Sequence, residues 1–326
     1  MSPARKVAVV TGGAGFIGSH MVDVLLERDY RVRVIDNLTG GRTANLAQHA
    51  RDPDLSFEES DIRDLVPESS LFRGADYVFH FAGIGDIVPS IERPLEYMNT
   101  NVQGTVHVLE AARHARVRKF VYAASSSCYG IAATPTREDH PISPQYPYAL
   151  SKYQGEQAAF HWRRVYRLPV NSVRIFNAYG TRVRTTGAYG AVFGGNQMRP
   201  NLHVDDMVDA YHLMLTAPHE KIHGETFNIG FQNYSIAEIA GMVKKVVQEE
   251  MPEKGEIKIV TTPTNDMRSY HVNSDKVNRV LGFKPKHSIE DAVRDLTRAF
   301  RNHLMPNSFD DDWYYNVRTM KKLGAK

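Results

Sequence analysis

The sequence predicts an α/β protein: a doubly wound parallel sheet followed by a smaller C-terminal α/β domain. Three observations carry this. Apolar runs rich in β-branched residues alternate with helical patterns through the first half of the chain. A glycine-rich turn joins the first run directly to the first helix. After Asn177 the pattern changes to a Gly-, Thr- and Arg-rich stretch followed mainly by helices.

In order, VAVVTG (7–12) reads as a buried strand, 16–28 as a helix, RVRVID (31–36) as a strand, LSFEESD (55–61) as a strand, DYVFHFAG (76–83) as a strand, 95–115 as a helix and KFVYAAS (119–125) as a strand. Near-continuous apolar strands separated by helices are what parallel strands with crossover connections require, the sheet being covered on both faces. A helix from about Tyr148 to Tyr166 and the strand PVNSVRIFN (169–177) complete a first domain over 1–176. Beyond it, TRVRTTGAYGAVFGGNQ has loop composition. Helices are expected at 204–217, 235–250, 274–281 and 288–303, within a domain over 177–326 from which the chain returns to the first around 201–217.

Composition sets bounds on function. The chain has 326 residues, 42% hydrophobic, with a net charge of +3, which is globular and not disordered. The basic run RHARVRK (113–119) contains apolar positions that a helix-to-strand junction would bury, so it reads as a helix end and no nucleic-acid partner is expected. A single cysteine, Cys128, leaves no internal disulfide and no thiolate cluster for zinc, in keeping with a reducing, cytoplasmic setting. The start MSPARKVAVVTGG lacks the apolar core of a signal peptide, and no stretch approaches the roughly 20 apolar residues of a membrane span, so no membrane partner is expected. Without a spacing such as H-E-x-x-H among the 14 histidines, His80 and His203 read as buried or surface side chains and no metal site is expected.

Thr11-Gly-Gly-Ala-Gly-Phe-Ile-Gly18 sets Gly12, Gly15 and Gly18, with Phe16 and Ile17 between, immediately after a strand and at the start of a helix. Glycines there allow a tight turn and let backbone N–H groups and the helix N-terminus approach a pyrophosphate. Asp36 ends the next strand, where a carboxylate accepts hydrogen bonds from the adenine ribose hydroxyls and repels a 2′-phosphate. Asn37 and Leu38 beside it supply no cation, although Arg42 lies near, so NAD is favoured over NADP.

With these residues the chain resembles the extended short-chain dehydrogenase/reductase enzymes, the nucleotide-sugar epimerases and dehydratases, over nearly its whole length. The resemblance implies a Rossmann-type first domain and a nucleotide-sugar-binding second domain. It implies that Asp61 and Ile62 edge the adenine, that Phe81, Ala82 and Gly83 lie along the cofactor, and that Asn101 braces the active site. From the sequence alone, Asn101 reads equally as a helix amide satisfying a neighbouring backbone group.

Tyr148 and Lys152 form Y-x-x-x-K, and at i,i+4 on a helix the two side chains share a face. A phenol, with a pKa of about 10, is too weak an acid to serve as a general base at neutral pH; an adjacent ammonium favours the phenolate. Ser125, Ser126 and Ser127 follow a strand, at the sheet edge where doubly wound folds bind ligands. Aligned on Tyr129-Gly130, the family's catalytic Ser/Thr corresponds to Ser125. The resemblance then implies that Ser125 holds the sugar hydroxyl, that Tyr148 takes its proton, and that Lys152 also holds the nicotinamide ribose. Where 4,6-dehydratases carry an acidic pair, this chain has Ser126 and Ser127 in the substrate pocket, which favours 4-epimerisation over dehydration or uronic-acid decarboxylation. A non-catalytic NAD-binding role is the rival from another class. Asn177, Arg199 and Arg268 resemble, or could serve as, contacts to the substrate diphosphate. Relatives carry a longer segment between NAYG (177–180) and MRPNLHVDD (198–206), with a helix and a "VFGDG" strand over the base. Here VFGGNQ follows YGA at once, so either the base pocket is built differently or the chain is a shortened relative. Family helices equivalent to 95–115 and 148–166 pair across a dimer axis, which implies a homodimer.

Overall fold

A computed structural model of the chain describes residues 5–183, 192–193, 195–262 and 269–304. Its centre is a seven-stranded sheet, all of whose pairs are parallel, formed by β1 (Val7–Thr11), β2 (Arg31–Asp36), β3 (Leu55–Glu59), β4 (Tyr77–His80), β5 (Lys119–Ser125), β6 (Val170–Ile175) and β10 (Thr226–Ile229). The spatial order is β10-β6-β5-β4-β1-β2-β3. The order reverses at β1, which has β2 on one side and β4 on the other. This reversal opens a crevice at the carboxyl ends of the strands.

Side chains alternate along each strand, and the core divides accordingly. Ala8 and Val10 face one layer with Met21 and Leu25 of α1 (Phe16–Glu27) and Met207, Tyr211 and Met214 of α6 (Val204–Thr216). Val7 and Val9 face the other layer with Val108 and Leu109 of α4 (Thr105–His114) and Ala159 of α5 (Pro147–Tyr166). β1 is buried on both faces, which is why it reads as an unbroken apolar run. The basic junction after α4 is tied to the fold: Lys119 Nζ donates to the carbonyls of Met214, Leu215 and Ala217 at the C-terminus of α6, and Arg118 pairs with Asp76.

The single helix expected over 95–115 is three pieces. After α2 (Ile87–Glu92), α3 (Pro94–Met98) starts at a proline, a π-helical turn spans Asn99–Gly104, and α4 follows. The wider turn sends Asn101 inward, and Ile62 fills the space beside Gly104, where a Cβ would lie 2.7 Å from Ile62 Cδ1.

Beyond the first sheet, β7 (Asn177–Tyr179), β9 (Met198–His203) and β11 (Gln232–Ser235) make a small mixed sheet in the order β11-β9-β7. β8 (Val192–Phe193) pairs with β12 (Thr261–Thr262). α8 (Ile236–Glu250) and α10 (Ile289–Arg301) cover the small sheet through Val246, Ile289 and Val293 against Tyr179 and Tyr234. α7 (His219–Ile222) and α9 (Asp275–Leu281) flank β10. The chain thus rejoins the large sheet through α6 and again through β10, which pairs with β6.

Candidate active site

The glycine turn lies at the crevice. Gly12 has φ of +72°, and a Cβ on it would come 2.6 Å from the Ala82 nitrogen, so the turn packs directly on the Phe81–Ala82 backbone. Any Cβ on Gly18 would overlap the Gly12 carbonyl. Gly15, with no side chain, is the N-cap of α1, and Phe16, Ile17 and Gly18 form its first turn, whose N–H groups suit an anion. Asp36 is buried at the end of β2; Oδ2 accepts from Ala14 N (3.0 Å) and Oδ1 from Leu38 N (2.8 Å). Burial raises its carboxyl pKa, and these backbone bonds oppose the rise. Asn37 donates to Asp61 (2.8 Å), whose carboxyl is held at about 2, chiefly by Arg63. Ile62 is buried behind it. A narrow turn, an uncapped helix start and a buried carboxylate on the neighbouring strand fit a dinucleotide without a 2′-phosphate.

β5 carries Ser125 to the same edge. A 3₁₀ turn over Ser126–Tyr129 follows, and Gly130 at φ +63° sends the chain away. Tyr148, at the start of α5, donates from its hydroxyl to Ser125 Oγ at 3.2 Å; Ser125 Oγ lies 2.6 Å from Ser127 Oγ and accepts from Ser127 N. Lys152, one turn along, is buried with Nζ 4.8 Å from the Tyr122 ring centroid. Burial lowers its pKa to about 8, against the opposing charge of Glu156. Asn101 satisfies a neighbouring backbone group: its side chain accepts from Ile84 N and donates to Ile84 O, clasping the backbone just beyond Gly83, and it also donates to Ser151 Oγ (3.0 Å) beneath Tyr148. The sequence-predicted Ser125, Tyr148, Lys152, Asn101 and Gly83 therefore converge.

Below the serine turn lies a network that sequence reasoning missed. Glu156 and Arg174 form a buried pair (2.8 Å), Ser172 donates to Glu156 (2.6 Å), Arg174 donates to Tyr129 OH (2.7 Å), and Tyr129 donates to Asn228 (2.7 Å). This ties α5, β6, the serine turn and β10 together. Its one sequence signal is Arg174, a charge inside an otherwise apolar strand.

Two of the residues suggested for the diphosphate, Asn177 and Arg199, sit on the small sheet. Asn177 opens β7 in register with Asn201 of β9, and Arg199 of β9 lies opposite Tyr234 with its guanidinium 5.3 Å from the Tyr270 ring centroid. Ser126 is half-buried in the 3₁₀ turn. Arg268 lies outside the described residues, as do 184–191 and 194 of the segment 181–198. His80 and His203 are both buried. Among the described residues no group of three or more His, Cys, Asp or Glu side chains is placed to hold a metal, and no helix is long and apolar enough to cross a membrane.

Residues 8–230 match the NAD-dependent epimerase/dehydratase family. A UDP-glucose 4-epimerase from Mycolicibacterium smegmatis is 33% identical over 90% of this chain and 98% of its own. The crystal structure of a UDP-glucose 4-epimerase with UDP-glucose from Thermotoga maritima superposes with a TM-score of 0.80 at 29% identity, covering 91% of this chain and 99% of that one. A dTDP-glucose 4,6-dehydratase from Streptomyces venezuelae with NAD bound gives 0.80 at 29%, over 94% and 99%. The chain therefore belongs to the NAD-dependent epimerase/dehydratase family of extended short-chain dehydrogenases acting on nucleotide sugars, and NAD is its cofactor.

Proposed function

We propose that the protein is a 4-epimerase of a nucleoside-diphosphate hexose, working through a transient 4-keto sugar. The observation that carries this reading is the Ser125–Tyr148 hydrogen bond with Lys152 buried one turn on and no carboxylate in the serine turn. Bound NAD supplies reversible hydride chemistry at the sugar carbon. Ser125 Oγ orients the C4 hydroxyl, Tyr148 accepts its proton and returns it, and the Lys152 charge favours the phenolate. Dehydration requires acid and base at the neighbouring carbons. Ser126 and Ser127 are poor substitutes for carboxylates there, and Ser127 is already bonded to Ser125.

In the same reading, Gly12, Gly15, Phe16, Ile17, Gly18, Asp36, Asn37, Asp61, Ile62, Phe81, Ala82, Gly83 and Asn101 line the NAD side. Asn177, Arg199 and Arg268 hold the diphosphate, with 1–176 serving the cofactor and 177–326 mainly the sugar nucleotide. The chain pairs as a homodimer along α4 and α5, where Leu150, Val165 and Tyr166 are exposed apolar side chains. The buried free Cys128 agrees with a reducing, cytoplasmic setting.

Incubation with UDP-, GDP-, CDP- and dTDP-hexoses and UDP-hexuronic acids, products resolved by chromatography and mass spectrometry, tests this reading. An isobaric product, lost by about two to four orders of magnitude in Tyr148→Phe, is expected. A product lighter by water or carbon dioxide moves the reaction to dehydration or decarboxylation. No turnover of any sugar by NAD-loaded protein leaves a binding role.

A further inference from the structure

Between the two sides of the cofactor site runs a buried chain of hydrogen bonds centred on His80, whose protons can be placed by elimination. Thr105 Oγ1 donates to the Asn101 carbonyl (2.7 Å), because a carbonyl only accepts. At its contact with His80 Nε2 (2.9 Å), Thr105 must then accept, which puts the imidazole proton on Nε2. His80 Nδ1 is left as the acceptor for Thr11 Oγ1–H at 2.7 Å. Farther on, Ser151 Oγ donates to the Tyr148 carbonyl (2.8 Å) and so accepts from Asn101 Nδ2 (3.0 Å). Thr11, His80, Asn101, Thr105 and Ser151 are each at most 1% exposed, so no water competes for these protons. One end is the residue before Gly12; the other is the turn that carries Tyr148.

We propose that His80 is a positioning residue which, as the neutral Nε2–H tautomer, sets the glycine turn against the Asn101–Tyr148 side of the site and thereby fixes the width of the NAD crevice. Thr11 and His80 are partners in the β1–β4 register, and Phe81 and Ala82, directly after His80, both donate to the Thr11 carbonyl. The imidazole also packs against Tyr122 (5.7 Å between centroids), whose hydroxyl donates to the Lys152 carbonyl. A charged imidazole does not suit this place: burial, and the Lys152 charge behind it, lower the His80 pKa to about 3. The proposal rests on the assignment of this crevice to NAD and not on which sugar is turned over.

The test is NAD affinity by calorimetry on protein stripped of cofactor, with histidine 15N spectra of the same samples. His80→Phe, which fills the space but leaves Thr11 and Thr105 without their partner, should weaken NAD binding by about tenfold or more. His80→Gln, able to accept from Thr11 and donate to Thr105, should recover most of that loss. Thr105→Val breaks one link only and should fall between; it also serves if His80→Phe does not fold. In the wild type, the histidine signal that vanishes in His80→Gln should be that of a ring neutral and Nε2-protonated from pH 8 to pH 5. Unchanged NAD affinity in folded His80→Phe and Thr105→Val, equal losses in Phe and Gln, or an Nδ1–H signal that vanishes in His80→Gln would overturn the proposal. Absence of turnover with every sugar overturns the epimerase reading and leaves this measurement intact.

Discussion

Lys152 works in a setting that opposes its own charge. With a pKa near 8 against 10.5 for a free lysine, it loses its proton as pH rises past 8, and in the proposed reaction the phenolate of Tyr148 then loses the charge that favours it. Turnover in the proposed reaction should therefore decline above about pH 8, following one proton. Stability should move the other way: between pH 8 and 10.5 the unfolded chain binds more protons at this residue than the folded one, so the fold gains stability as pH rises through that window. Lys152→Met should remove both dependences, checked by a pH–rate profile and urea unfolding at several pH values. At His80 the logic runs toward acid. Its folded pKa near 3 lies below the usual 6.5, so stability is lost as pH falls through 6.5 toward 3, and His80→Gln should flatten that slope.

At the scale of elements, the Glu156–Arg174 pair joins α5 to β6 directly beneath the serine turn. Glu156→Ala leaves a buried guanidinium without its counter-charge, and chemical denaturation should read a loss of about 3–5 kcal/mol. Paired replacement of both residues by apolar ones should lose less, because it removes the uncompensated charge. The pair shows where the sequence stops being legible. β1, β4 and β5 are buried on both faces and announce themselves as apolar runs, and the residues at their ends inherit their place from the strands: Gly12 and Ser125 could be placed for that reason. β7, β9 and β11 are three to six residues long with polar residues among apolar ones, and their partners are distant in the chain, so no local period marks them. The π-helical turn at Asn99–Gly104 has the composition of an ordinary helix; only the inward demand of Asn101 for Ile84 reveals it. Glu156 and Arg174 lie 18 positions apart on different elements, and no spacing rule connects them.

Across the whole molecule, the homodimer reading makes a separate prediction: light scattering should give twice the 36.8 kDa chain mass, and charged substitutions at Leu150 and Val165 should shift it toward the single chain. The large sheet also draws on both halves of the sequence, since β10 pairs with β6 although β7 and β9 of the small sheet lie between them in the chain. During synthesis, β6 ends at Ile175 and β10 begins at Thr226, so about fifty residues must still emerge before the flank of β6 is covered. At about 5–20 residues per second this is a window of several seconds in which Val170, Val173 and Ile175 present an open apolar strand edge. A nascent chain halted there is the species on which a ribosome-associated chaperone would act.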